Sequence, residues 1–322
     1  MTRYIVKRIL MILLIVLGVV LILFVLLYSL PGSNISQMPI YGGGDALDSI
    51  FELINAGDNF FTKYIRYCFN ILFHFNPNPT GTAGPPSADS LGLRVRNTMY
   101  ILVSGVSATL IVGVPVGVYA AVRKNRLADR VINIVSLFFA AIPNYALATI
   151  ITLVLAVYLR LLPVANSYTT PSAYIMPTLT IALGGIASIA RTTRASMLEV
   201  LDRPFIIGLR SKGLKEAGVV YLHALKNALV PVISVLGGFI TQMLCGTFVV
   251  EHFFNIPGLG SYMLRSVGQR SHFAILGCTV VIAIILSVMN LVSDILYSLI
   301  NPQIRLRYAK SHRIKPGKEA EK

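Results

Sequence analysis

A chain of 322 residues that is 55% hydrophobic and only 13% charged, with a mean hydropathy of +0.72, is excluded from the ordinary soluble class, in which about a quarter of residues are charged. Its 28 Lys and Arg against 13 Asp and Glu give a formal net charge of +15. The cations are spread over several short segments beside apolar runs instead of forming one stripe or patch, which argues against a nucleic-acid surface.

Residues 1–8 carry Arg3, Lys7 and Arg8 and read as a short cytoplasmic N-terminus. The apolar run over 9–30 exceeds the roughly 7 to 15 residues of a signal h-region, and no small-residue cleavage pattern follows it. It is expected to be a retained membrane helix, because about 20 apolar residues cross a bilayer once every backbone amide is bonded within the segment. Residues 31–97 form the large extracytoplasmic region. Its turn-rich stretches, YGGGD at Tyr41 to Asp45 and NPNPTGTAGPP at Asn76 to Pro86, surround a more apolar block with Phe51, Phe60 and Phe69. Two readings stay open for it, a receptor for an external protein and a connecting loop folded over the outer mouth.

Further spans are expected over 98–122, 131–158, 173–190, 228–250 and 273–300, which makes six in an all-α integral membrane protein. The fourth is short and interrupted by Pro177, Gly184 and Gly185. Residues 98–300 thus form the core domain, and 301–322 a basic cytoplasmic tail. Cytoplasmic loops retain Lys and Arg during insertion. With the N-terminus inside, the cytoplasmic side receives 21 of these residues and the outer side seven. Both termini are therefore placed in the cytoplasm.

The segment 191–227 is polar, basic and helix-patterned although it lies between two apolar spans. Met197, Leu198, Leu201, Phe205 and Leu209 recur at helical spacing among Arg194, Glu199, Asp202, Arg203 and Arg210. Gly213 is expected to end that helix in a left-handed C-cap. Lys215, Glu216, Val219, Val220 and Leu222 then begin a second short helix leading to His223, so that two helices form a compact knob. Apolar side chains such as Phe205, Leu209 and Leu214 left in water would each forgo roughly 1.5 to 3 kcal/mol relative to burial. A protein partner is expected to cover them.

Asp294 lies inside the sixth span, where an ionisable group faces the bundle interior or a partner. With Asn290, Ser293 and Tyr297 on the same helix it reads as an intramembrane polar cluster, structural or path-lining. At the outer end of the fifth span, Glu251 with Asn255, Pro257, Gly258 and Arg265 is an outer-gate candidate. A plain loop ion pair is the alternative. Cys68, Cys245 and Cys278 show no paired spacing, and His74, His223, His252 and His272 lack the i, i+4 spacing of a helical metal site. No catalytic or metal residue is assigned, and no phosphate-binding G-x-x-x-x-G-K-[ST] loop is present. A transport subunit is the favoured class and a membrane enzyme or a stand-alone channel its rival; an enzyme would need clustered acid, base, metal or nucleophile groups in its spans, where Asp294 stands alone among scattered Ser and Thr.

Five stretches carry a family resemblance: SKGL at Ser211 to Leu214, HALKNALVP at His223 to Pro231, Tyr4 to Gly32, VVEHFFNIPGLGSYML at Val249 to Leu264, and NLVSDILYSLINPQIRL at Asn290 to Leu306. They resemble the permease subunits of ABC importers of the dipeptide and oligopeptide type. The resemblance implies a type I permease fold with six transmembrane helices and cytoplasmic coupling helices in a bacterial or archaeal cell membrane. It implies a second homologous permease, two ATP-binding subunits and an extracytoplasmic substrate-binding protein as partners. ATP and Mg would be used by the ATPase subunits, with no cofactor bound by this chain. Peptides or peptide-like solutes are the implied cargo, with a nickel chelate, glutathione or an oligosaccharide as the alternative. The ATPase-coupling loop is assigned to Arg210, Ser211, Lys212, Gly213, Leu214, Glu216, His223 and Leu225. Against the general pattern E-A-A-x-x-x-G-x9-I-x-L-P, Gly213 and Leu225 match the glycine and the leucine. Ile207, Gly208 and Leu209 stand in place of E-A-A, His223 in place of Ile, and Lys226 in place of Pro.

Overall fold

The computed structural model describes residues 2–28, 64, 91–163, 170–268 and 272–300. Among them no strand occurs, and nearly every residue lies in a helix or a short connection between helices. The helices are α1 (Thr2–Tyr28), α2 (Leu91–Val122), α3 (Leu127–Ala141), α4 (Asn144–Thr152), α5 (Ile175–Leu201), α6 (Pro204–Ser211), α7 (Leu225–Phe253), α8 (Leu259–Gly268) and α9 (His272–Ile300). Two π-helical stretches extend them, Leu153–Tyr158 after α4 and Gly218–Ala224 before α7.

Four of these elements are long and apolar enough to cross a membrane: Leu91–Val122, Pro171–Leu201, Gly218–Phe253 and Gly277–Leu296. The number is five if the bent pair Leu127–Ala141 and Asn144–Tyr158 counts as one. In α1, where another span is expected, side chains are described for Leu10–Ile22 and Val25. Almost all of the 31–97 region before Leu91 lies outside the described residues. Tyr64, inside it, donates its hydroxyl to the Leu17 carbonyl at 2.9 Å.

Two expectations are corrected. The span over 131–158 is not straight but bends by 106°. Pro143 is the cause: it has no amide to donate and it drives Ile142 into the extended conformation, φ −79° and ψ 126°. The fourth span, read as ending near 190, runs unbroken to Leu201, and Gly184 and Gly185 do not interrupt it.

The chain divides into two compact units. One comprises 1–101, 160–177 and 246–288; the other comprises 102–159, 178–245 and 289–322. In the second, small residues at i, i+4 spacing on α2 bring it close to α5. Gly113 leaves room for the Ile186 carbonyl and Ile189, and Gly117 for Ala190 and Thr193, where a Cβ would fall 2.6 Å from Thr193 Cβ. Thr109 occupies the space that Gly185 leaves open. Between apolar helices in lipid, such close backbone approach is a main source of packing attraction.

Candidate functional site

The knob between α5 and α7 is built by breaks in helical continuity. The single helix expected from Met197 to Leu209 is two helices, because Pro204 takes the first position of α6 and leaves Arg203 extended. α6 ends where Gly213 adopts φ +78° with nothing within 4 Å of the position a Cβ would take. Its amide donates to the Arg210 carbonyl at 2.9 Å. The second short helix is not separate either. Helix resumes at Glu216 and continues through the π-helical stretch into α7.

One face of the knob is a core in which Ile206, Val219, Val220, Ala224 and Ala228 are buried with Val118 and Ala121 of α2 and Met197 and Val200 of α5. Leu209, expected to be left in water, packs against this core, as do Leu201 and Leu225. The opposite face leaves Phe205, Ile207, Leu214, Tyr221 and Leu222 exposed, the last by 70%. Arg210 closes the turn around Gly213 by a two-pronged bond to Glu216, Nε to Oε2 at 3.1 Å and Nη2 to Oε1 at 2.7 Å. The guanidinium holds the Glu216 carboxyl below its ordinary range, and the carboxylate in turn raises Arg210. Ser211 Oγ donates to the Ile207 carbonyl, Lys212 follows the last turn of α6, and the His223 carbonyl accepts from Asn227 Nδ2. Seven of the eight residues assigned to the coupling loop therefore lie in this element, and the eighth, Leu225, opens α7.

A second Arg–carboxylate pair sits beside the knob and was not anticipated. Asp129, in the first turn of α3, is buried, and its Oδ2 accepts from Arg194 Nη2 of α5 at 2.8 Å and from the Asn125 amide at 3.0 Å. Asn133 Nδ2 donates to Oδ1 at 2.9 Å. Asn125 has φ 64°, so the turn between α2 and α3 is held by this carboxylate. The partners are 65 residues apart in sequence, a separation at which helical periodicity gives no signal.

At the corner between α7 and α8 the structure redirects the outer-gate candidate. Glu251 is wholly buried. Its Oε1 accepts from Thr98 Oγ1 at 2.6 Å, and its Oε2 accepts from the amides of Gly260 and Ser261 at 2.8 and 3.2 Å. The alternative loop ion pair with Arg265 is not formed, because the carboxylate is turned inward to these donors while Arg265 Nε donates to the Ser261 carbonyl at 3.4 Å. Asn255 makes the turn with φ 53°, the Pro257 carbonyl accepts from Asn97 Nδ2 at 3.0 Å, and Gly258 lies against the carboxylate. Tyr174 donates to Asn97 Oδ1 at 2.8 Å, and the buried Arg94 lays its guanidinium over the Tyr262 ring at 3.9 Å.

In α9, Asn290 Oδ1 lies where a Cβ on Gly237 would fall, at 2.9 Å, and Ser293 is buried with its hydroxyl on the Met289 carbonyl at 3.0 Å. Asp294 is half-buried on the same helix, and the Tyr297 side chain lies outside the described residues. Cys278 is buried and Cys245 exposed, both as free thiols, and no group of three or more His, Cys, Asp or Glu able to hold a metal occurs among the described residues. Cys68 and His74 lie outside them.

Residues 113–306, which include α5, the knob and α7, match the family of binding-protein-dependent transport system inner membrane components. The chain belongs to that family. It is 35% identical to the dipeptide transport system permease protein DppB of Bacillus subtilis, over 95% of this chain and 99% of that one. It is 31% identical to the oligopeptide transport system permease protein AppB of the same organism, over 94% and 99%. A chain of the MetNI methionine ABC transporter, solved in an inward-facing conformation, shares the fold with a TM-score of 0.53 at 17% identity, covering 68% of this chain and 99% of that one. The protein, helical throughout nearly all its described residues, is thus a multi-pass inner-membrane permease subunit of an ABC importer, the component of a complex that includes ATPase and binding-protein partners.

Proposed function

We propose that this subunit forms half of the translocation path for peptides or peptide-like solutes, beside a second homologous permease. Two ATP-binding subunits, which use ATP and Mg, would drive it from the cytoplasm, and an extracytoplasmic binding protein would deliver the cargo. The twofold relation of two permeases to two ATPases rests on the family resemblance, and the peptide cargo on the relatives at 31 to 35% identity.

The observation that carries the reading is the division of the knob into a buried and an uncovered face. Ile206, Val219 and Val220 anchor it to α2 and α5, while Phe205, Ile207, Leu214, Tyr221 and Leu222 are presented outward. Covering each such side chain is worth roughly 1.5 to 3 kcal/mol when burial is complete. The 191–227 segment that contains it carries seven of the chain's basic residues, so it is assigned to the cytoplasm, where ATP is available. An ATPase groove is the occupant this placement favours. Both termini fall on the same side.

Reconstitution tests the reading. The purified chain in liposomes, alone and with a second permease, the ATPase subunits and the binding protein, is assayed for uptake of labelled di- and oligopeptides. Uptake is expected only in the full assembly with ATP. Accumulation of peptide by the lone chain without ATP would overturn it.

A further inference from the structure

We infer that Glu251 is a positioning residue for transport, because its carboxylate is the built-in cap that fixes α8 against the ends of α7 and α2. The role assigned to α8 rests on the importer reading above, which places the 251–268 segment on the side from which cargo arrives.

The first four amides of any α-helix lack partners within the helix. In α8 all four are accounted for by nearby groups of the same unit. With Gly258 as the cap residue, Gly258 donates to Ser261 Oγ at 3.1 Å, Leu259 donates to Thr98 Oγ1 at 2.9 Å, and Gly260 and Ser261 donate to Glu251 Oε2. Thr98 joins the two halves, since its hydroxyl accepts from Leu259 and donates to Glu251 Oε1. The carboxylate also sits at the positive end of the helix dipole. Thr98, 153 residues away, is thereby joined to the end of α7 and the start of α8 through one carboxyl group.

The glycines show how closely the parts fit. A Cβ on Gly258 would fall within 2.5 Å of Glu251 Oε1, and one on Gly260 within 2.5 Å of Phe248 Cβ. α8 is therefore docked by side-chain reach and by missing side chains together. It presents Leu264, Arg265 and Val267 to the surface.

What the cap needs is an acceptor at the right distance. A glutamine oxygen can take the Gly260 and Ser261 amides while its NH2 donates to the lone pair that Thr98 keeps after accepting from Leu259. Aspartate retains the charge but is one methylene too short to reach all three donors. A cap therefore predicts that Glu251→Gln outperforms Glu251→Asp. A charge relay or an ionic substrate contact predicts the reverse.

Two measurements on the assembled importer decide. Amide exchange of the 259–262 segment, which requires no substrate, is expected to quicken about tenfold or more in Glu251→Asp and Glu251→Ala, and to stay near wild type in Glu251→Gln. The ratio of binding-protein-stimulated to basal ATP hydrolysis per complex is expected to fall on the order of tenfold in the same two variants, within the roughly hundredfold that a misplacement of about 1 Å can cost. It should be largely kept in Glu251→Gln. A purely structural role would reduce the yield of complex and leave that ratio unchanged, which would overturn the inference. So would a Glu251→Asp variant with both properties intact beside an impaired Glu251→Gln. If Glu251→Ala and Glu251→Asp do not assemble, Thr98→Val and Thr98→Ser carry the test. Loss of the ratio in Val with retention in Ser supports the cap, and equal behaviour of the two overturns it. Failure of the wild-type complex to import peptide would bear on the proposed cargo alone, since exchange and ATP hydrolysis are read without it.

Discussion

The knob at 202–224 and the corner at 251–262 are both turns between helices, and both depend on glycine, yet for opposite reasons. Gly213 has open space around it and a positive φ, so its constraint is conformational. Gly258 and Gly260 have no room for a Cβ, so theirs is steric. The charges follow the same division. Arg210 and Glu216 are 43% and 57% exposed in their side chains, whereas Glu251 is wholly buried and ringed by donors. The corner satisfies its polar atoms internally and is complete within its unit; the knob leaves an apolar face uncovered. An element finished in itself is suited to holding a position. One left unfinished is suited to receiving a partner.

The sharpest way to break this comparison is Gly258→Ala. A methyl group there requires the Glu251 carboxylate to move, and each buried donor left without an acceptor costs about 1 to 3 kcal/mol. With Thr98, Gly260 and Ser261 all affected, the loss is expected to exceed about 3 kcal/mol, visible as a large fall in the thermal midpoint of the purified subunit in detergent. A midpoint equal to wild type would show that the corner is loosely packed.

Gly213→Val should act differently. The residue must take a strained φ at about 1 to 3 kcal/mol, or the end of α6 must unwind to avoid it. Because space is free around the site, the subunit should still insert and assemble, while binding-protein-stimulated ATP hydrolysis falls severalfold. Unchanged stimulation and uptake would separate the knob from coupling.

How far the sequence foretold these regions depends on the range of the interactions that make them. The apolar runs, the polar interruption at 191–227 and the left-handed Gly213 are local properties and were legible as such. The break at Pro204 and the bend at Pro143 are local too, and each proline offered the signal, but helical periodicity and apolar length outweighed it. Leu209 was misplaced because periodicity tells which residues share a face and not which face is covered. The corner was legible only as a candidate, since the donors to Glu251 are two backbone amides and a threonine 153 residues away. The Asp129–Arg194 pair was missed for the same reason. Residues named for the coupling loop came from resemblance, and the structure adds which of them form the turn, Arg210 and Glu216 around Gly213.

The smallest expected effect concerns that pair. An exposed ion pair contributes about 0.2 to 1 kcal/mol at most, because water screens it and two long side chains must be held still. Arg210 lowers the Glu216 pKa, so the contribution is fully present above the ordinary carboxylate pKa and is lost only as pH falls through the lowered one. Across neutral pH the pair is thus constant, and any change in coupling there must come from other groups. Glu216→Gln should leave the thermal midpoint nearly unchanged at neutral pH and abolish whatever difference in stability the wild type shows between neutral and strongly acidic buffer that belongs to this pair. The buried alternative behaves otherwise: leaving one member of a desolvated pair such as Arg194–Asp129 alone costs about 3 to 5 kcal/mol. A Glu216→Gln variant destabilised on that scale would mean that the knob's surface charge is buried after all, by a contact the isolated subunit does not contain. The same variant measured in the isolated subunit and in the full complex separates the two cases, since a large effect confined to the complex would place Glu216 inside the ATPase interface.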